Sequence, residues 1–255
     1  MAWPTMWYDL PLAVFDLETT GFDREKCQII EIGIVQFLHG EVVNVYDWLI
    51  DPECEIPKDV VELTHIQQSD VDGQPKFAEI APKVLEAFSG HGIVAYNVGF
   101  DRPFLTCKLE QLGMSWPSEN PVIDPLVFAS HFWPNQRNKL GMVAERLNVS
   151  LEGAHRACND AEATGRVLYA MRDKLPPDLE NLLIIQSQWD LENQERFRWR
   201  QRKNDTNGLN SLVSPTSTTT LGPSYFFGNE TDPLRALYNM VPHAAPKTPN
   251  KDTAQ

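Results

Sequence analysis

Asp16 and Glu18 stand two residues apart in LAVFDLET (residues 12–19), an apolar run that turns polar just before Gly21. Side chains two apart on a strand point to the same face, so this spacing sets two carboxylates side by side. Such a pair repels unless a cation neutralises it, and hard oxygen ligands suit Mg²⁺ or Mn²⁺. A polar strand end entering a turn explains the same residues without chemistry. Asp101 follows a second short apolar segment in AYNVGFD, accompanied by Asn97 and Phe100. It serves equally as a helix N-cap ahead of Arg102-Pro103. Asp160 lies in HRACNDAEATGRVLYAM, near the start of a periodic helix, with His155 five residues earlier. Within one helix that offset would set the two about 140° apart. They can meet only if His155 sits on the preceding loop, which Gly153-Ala154 favours. Taken singly, Asp160 is also a first-turn acid favoured by the helix dipole, and His155 a surface histidine.

Taken together the acids point to chemistry. Strand ends gather on one edge of an α/β sheet, where active sites form. Asp16, Glu18 and Asp101 are expected at such ends, and a helix packed on that edge would deliver Asp160. Four carboxylates there suit a two-metal site, with ions roughly 3.5–4 Å apart clamping the attacking and leaving oxygens of a phosphodiester. A nearby histidine, with a reference pKa of about 6.5, would take a proton from the attacking water.

The elements that must position these residues are legible in outline. Residues 12–19, 29–38 (IIEIGIVQFL) and 42–50 (VVNVYDWLI) read as strands, with His39-Gly40-Glu41 as a tight hairpin, and so as an antiparallel meander. Residues 76–89 then carry Phe77, Ile80, Val84, Leu85 and Phe88 at helical spacing, ended by Gly90. A strand at 92–96, a helix at 102–112 with Pro103 in its first turn, and a strand at 121–124 follow. Helices are expected near 139–147 and 157–174. The fold class is therefore α/β, a mixed sheet of three meander strands plus two parallel strands joined through helices. Pro176-Pro177 marks a boundary, giving a catalytic domain over 1–176, a helical extension over 177–204 and a disordered tail over 205–255. Within the extension, ERFRWRQRK interleaves bases with Phe197 and Trp199, which can hold a single strand by charge and stacking; the solvated end of a helix explains it as well. Trp189 and Leu191 suit either a partner-binding peptide or helix packing.

Composition bounds the rest. The chain has 255 residues, 42% of them hydrophobic and 22% charged, enough for one sizeable core. No apolar run approaches the roughly 20 residues that cross a bilayer, and the N-terminus does not read as a signal peptide. Cys27, Cys54, Cys107 and Cys158 lack ligand spacing and read as free thiols, so a cytoplasmic protein without membrane partners is expected. The net charge of −13 is concentrated before residue 176, where 14 Lys+Arg face 26 Asp+Glu. That acidity argues against tight, non-specific duplex binding. It is compatible with bound cations and with an enzyme that grips only a few nucleotides at an end.

VFDLETTG, AYNVGFD and HRACNDA resemble, in order and spacing, the three motifs of the DEDDh (DnaQ-like) exonuclease family. That family includes the proofreading subunit of bacterial replicative polymerases and ribonuclease T. The resemblance covers about residues 10–175, and all four acids and the histidine are present. It implies a ribonuclease H-like fold, with two divalent cations held by Asp16, Glu18, Asp101 and Asp160, and His155 as general base. Nucleoside 5′-monophosphates would be released from a nucleic-acid 3′ end, single-stranded or frayed, with DNA favoured over RNA. The resemblance further implies that Leu17 and Thr19 contact the terminal nucleotide and that Thr64 lies near its sugar or base. Asn97 and Phe100 would line the scissile-phosphate side, and His65 would be structural. An RNA-trimming enzyme of the same fold is the nearest alternative. A non-catalytic adaptor would have no reason to keep the acidic set, because uncompensated like charges destabilise a fold. The polar tail suits docking to a polymerase or repair complex.

Overall fold

The computed structural model describes residues 3–208, with side chains through Trp199. β1 (Leu12–Thr19), β2 (Ile29–Leu38) and β3 (Glu41–Leu49) form the expected antiparallel meander, built from β-branched and aromatic residues that suit a pleated surface. The β2–β3 loop has two residues, His39 (φ 52°) and Gly40 (φ 87°), both left-handed as a type I′ hairpin turn requires. Glu41, expected in the turn, opens β3 instead.

Three helices, α1 (Lys58–Thr64), α2 (Gln68–Val71) and α3 (Phe77–Phe88), lead to β4 (Gly92–Val94). α4 (Val98–Gln111) then connects to β5 (Val122–Ile123), and α5 (Pro125–Phe132), α6 (Leu140–Arg146), α7 (Ala157–Ala170) and α8 (Leu179–Gly208) follow. β4 lies parallel to β1 and β5 parallel to β4, so the sheet order is β3-β2-β1-β4-β5. This is the mixed sheet that the strand pattern predicts.

Several local expectations are corrected. The fourth strand stops at Val94 rather than residue 96, because the chain reverses through Asn97 at φ 69°. α4 begins at Val98 rather than 102, so Asp101 sits inside its first turn and Pro103 in its second. The reason is tertiary: the buried Asp124 carboxylate accepts the backbone N–H groups of Asn97 and Val98, both at 3.0 Å, which supplies a start signal from 26 residues away. α7 ends at Ala170, and a short 3₁₀ turn, Arg172–Lys174, replaces the last part of the expected helix. α1, α2 and α5 were not anticipated. For α5 a local signal existed, since Asp124 caps it by accepting from Leu126 N at 2.9 Å and Pro125 opens it.

Alternation along β1 divides the core. Leu12 and Val14 face Val35, Phe37, Phe128, Val143, Val167 and Leu182 on one side. Ala13, Phe15 and Leu17 face Ile34, Val84, Phe88, Phe104 and Leu109 on the other. By the same alternation Asp16 and Glu18 point to the first side, the one covered by α7. α8 joins this core through Leu179 and Leu182. Gln186 of α8 donates to Val122 O and accepts from Asp124 N, closing the exposed edge of β5. The helix runs past the expected end at 204 as far as Gly208, and the rest of the expected tail, with the short apolar patches that the sequence shows at Tyr225-Phe226-Phe227 and Leu234–Tyr238, lies outside the described residues. Trp189 stacks on His131 at 3.7 Å and packs beside Phe128 and Phe132, the helix-packing role. Phe197 and Trp199 are exposed. No helix among the described residues is long and apolar enough to cross a membrane.

Candidate active site

At the end of β1 the register sets Asp16 opposite Gly33 and Glu18 opposite Glu31 of β2. Asp101 is 4% exposed and reaches the same strand, its Oδ1 accepting from Leu17 N at 3.2 Å. Asp160, in the first turn of α7, accepts from His155 N at 3.1 Å through Oδ2. Its Oδ1 is buried and has no hydrogen-bond partner among the described residues. His155 is exposed and left-handed (φ 66°), two residues after Gly153 (φ 63°). It therefore lies on the loop and not on the helix, which lets it fold back toward Asp160. Glu18, His155 and Asp160 each offer a ligand atom within 4.8 Å of the others.

The charges have not been left at their ordinary values. Burial, then repulsion from Asp101, Glu18 and Asp160, holds the Asp16 carboxyl well above the carboxylate range. Glu18 is pushed up to about 8 by burial first, then by Asp160 and Glu31, with Arg156 opposing. Burial raises Asp101 despite its Leu17 N–H bond, and raises Asp160 despite its bond from His155. A hard divalent cation fits this donor set: it would satisfy the orphaned Asp160 oxygen and remove the repulsion that raises the acids.

The remaining sequence candidates are placed as follows. Leu17 is buried, and its N–H is the one taken by Asp101. The Thr19 hydroxyl donates to Gly21 O at 2.8 Å, bracing the turn after β1. Thr64 is buried at the end of α1, donating to Val60 O and accepting from Ile66 N. His65 is the left-handed residue that ends α1 (φ 59°), a structural role. Asn97 immediately precedes α4, held by Asp124. Phe100 is half-buried, with Phe22 edge-on at 6.1 Å and Phe104 at 5.9 Å. Burial raises the Cys158 thiol to about 11, consistent with packing and not reactivity.

Four neighbours escaped the sequence reading. Phe22 is 77% exposed beside Phe100. An apolar residue following Thr20-Gly21 at a strand end was the available signal. Asp124 anchors the start of α4 and hence Asp101; the Asp-Pro pair was its signal. Glu31 is fully buried, paired with Arg156. A lone carboxylate inside IIEIGIV was visible, but its partner was not.

The family model for exonucleases (RNase_T) matches residues 13–168. A PolC-type DNA polymerase III from Clostridium perfringens is 38% identical over 174 residues, covering 68% of this chain but 12% of the relative. The PolC-type DNA polymerase III of Caldanaerobacter subterraneus subsp. tengcongensis is 37% identical over 163 residues, covering 64% and 12%. The chain thus spans about an eighth of the length of these relatives. Exonuclease X in complex with 5′-overhanging duplex DNA superposes with a TM-score of 0.56 at 22% identity, covering 69% of this chain and 99% of that one. E. coli exonuclease I in complex with a dT13 oligonucleotide gives 0.58 at 16%, covering 64% and 41%. A 3′-exonuclease that recognises the histone mRNA stem-loop gives 0.57 at 18%, covering 68% and 67%. At these identities the structures establish the ribonuclease H-like fold alone. The family match, spanning most of the sheet and every motif from Asp16 to Asp160, makes this chain a member of the exonuclease family, DnaQ-like 3′→5′ phosphodiester hydrolases.

Proposed function

We propose that this chain removes nucleotides one at a time from the 3′ end of DNA, releasing nucleoside 5′-monophosphates. Asp16, Glu18, Asp101 and Asp160 would hold two divalent cations, Mg²⁺ or Mn²⁺, and His155 would be the general base. The observation that carries this reading is the meeting of Glu18, His155 and Asp160 within 4.8 Å, at the end of the strand that also presents Asp16. Bound cations would polarise the scissile phosphate and lower the pKa of the attacking water. His155, on an exposed loop, would accept that water's proton on its imidazole. Its backbone N–H bond to Asp160 ties the ring's origin to the acidic cluster. Phosphorus–O3′ cleavage leaves a new 3′-hydroxyl on the shortened strand.

Leu17, Thr19 and Thr64 are proposed to line the terminal nucleotide, with Asn97 and Phe100 on the scissile-phosphate side. To these we add Phe22, whose exposed ring beside Phe100 offers a stacking surface to an unpaired base. DNA is favoured because the two relatives described above, at 38% and 37% identity, are DNA polymerases. A polymerase or repair assembly is proposed as the partner, and the cytoplasm as the location. The division into a catalytic domain to 176, a helical extension and a tail is retained as a proposal.

The test is digestion of matched 3′-labelled and 5′-labelled single-stranded DNA and RNA, with Mg²⁺, Mn²⁺ or EDTA. A metal-dependent ladder from the 5′ label, with immediate mononucleotide from the 3′ label, is expected, faster on DNA. Faster RNA digestion would move the assignment to RNA trimming. No cleavage with either metal, or near-normal cleavage by Asp16→Ala, would overturn it.

A further inference from the structure

Glu31 presents an electrostatic problem. It is fully buried on β2, directly opposite Glu18, and its charge further raises Asp16, Glu18 and Asp160. A fifth carboxylate at an acidic cluster is costly unless it is matched. Its oxygens are matched, but by protein donors. Oε1 accepts from Arg156 Nε at 2.8 Å and Nη2 at 2.6 Å, and Oε2 accepts from Ala157 N at 2.9 Å. Glu31 is therefore engaged at both ends and differs in kind from Asp160, which keeps a buried oxygen with no partner among the described residues.

The donors matter because of where they lie. Ala157 is the first residue of α7, whose N-cap residue, Arg156, makes no side-chain cap of its own. The first N–H groups of a helix need external acceptors, and Glu31 supplies one from 126 residues away. Two residues along the same strand, Gly33 lets the helix start sit against the sheet. A Cβ there would lie 2.2 Å from Cys158 N and 2.3 Å from Ala157 C. The first turn of α7 is thus held against β2 by a two-pronged ion pair, a backbone bond and a close contact. His155 hangs from one end of this seat and Asp160 from the other.

We propose that Glu31 and Arg156 are positioning residues: their ion pair fixes the first turn of α7 so that His155 and Asp160 meet Glu18. This rests on the exonuclease reading above, since it assigns the pair a purpose in that site. The planar guanidinium fork and not merely its charge is what holds the seat, because two nitrogens converge on one oxygen while the other oxygen is left for Ala157.

The test uses Arg156→Lys, which keeps the charge and loses the fork, and Glu31→Gln, which keeps the shape and loses the charge. Three quantities are read on each full-length variant: kcat and KM on a 3′-labelled oligonucleotide, Mn²⁺ affinity from the electron paramagnetic resonance of free Mn²⁺, and melting temperature. Residues that orient ligand-bearing groups typically change metal affinity or activity by about 10–100-fold. Arg156→Lys should lower kcat and Mn²⁺ affinity by about tenfold, with KM and melting temperature near wild type, and Glu31→Gln by more. Wild-type kcat and Mn²⁺ affinity in both variants would overturn the proposal. So would a rise in KM alone, which would make Arg156 a substrate contact, or losses that merely follow the unfolded fraction. If the wild type binds Mn²⁺ yet cuts nothing, the exonuclease reading fails and the ion pair is judged on Mn²⁺ affinity alone, where unchanged binding in Glu31→Gln overturns it. A wild type that binds no Mn²⁺ overturns both.

Discussion

Glu18→Gln should abolish hydrolysis and, in the same molecule, stabilise the metal-free protein. In the fold the Glu18 carboxyl is raised from the ordinary 4.5 to about 8, chiefly by burial and then by Asp160 and Glu31. Below about pH 4.5 the folded and unfolded chains both hold the proton, and no penalty arises. Between 4.5 and about 8 the unfolded chain gives up its proton first, so destabilisation grows with pH, and above about 8 it is constant. The gap corresponds to roughly 5 kcal/mol at full ionisation and roughly 3 kcal/mol at pH 7. Glu18 is only partly buried at the surface, so screening by water reduces the working figure to about 1–3 kcal/mol. Gln has nearly the same shape and no charge, and therefore recovers this amount. The assay is thermal and denaturant unfolding of wild type and variant in EDTA at pH 5 and pH 8, with oligonucleotide digestion in Mg²⁺ alongside. At pH 8 the variant should melt higher by roughly 3–10 °C, at about 2–4 °C per kcal/mol, and at pH 5 the difference should shrink. Adding Mn²⁺ should raise the wild type more than the variant, because only the native wild type keeps the full donor set. A variant no more stable than wild type at pH 8, or one that still cuts DNA, would refute the view that Glu18 is a strained acid kept for a cation.

His155→Ala should lower the cleavage rate by roughly 10²–10⁴, the usual worth of a general base, while Mn²⁺ affinity in the resonance assay changes little; a large loss of Mn²⁺ binding would make His155 a ligand instead. Gly33→Ala should cost about 1–3 kcal/mol, the typical result of overpacking, and slow cleavage more than its unfolding curve explains, because the added Cβ collides with backbone at the start of α7. Phe22→Ala should leave melting unchanged, its ring being 77% exposed. It should raise KM for single-stranded DNA by roughly 5–10-fold, the lower part of what one stacked base contributes; an unchanged KM would remove Phe22 from the binding surface.

How much of this was legible beforehand depends on the range of the interaction involved. The strands and the larger helices follow from alternation and helical spacing over neighbouring residues, which is why the meander and α3 were read within a residue or two of their observed ends. Asp16 and Glu18 shared a predicted face because the strand period is two. The placing of His155 on a loop followed from the impossible angle it would otherwise make with Asp160. Errors collect where a distant group intervenes. α4 begins four residues early because Asp124 supplies its first acceptor, and no local pattern in AYNVGFD announces that. α1 and α2 are short, and α5 is largely apolar, so none has the length of one-sided pattern that marks a helix.

Local spacing by itself therefore determined the chemical inventory of this protein: which acids pair on a strand, which histidine lies on the loop before a helix, and a mixed sheet able to gather them. Tertiary structure alone decided how that inventory is held. The β1–β2 register sets Glu31 against Glu18 and Gly33 against Asp16, and the docking of α7 on that register turns a buried carboxylate into a helix anchor. Residues more than 120 positions apart come within hydrogen-bond distance there. Such pairings are fixed by which surfaces pack and not by the order of neighbours along the chain, so a single chain read from end to end carries the partners but not their meeting.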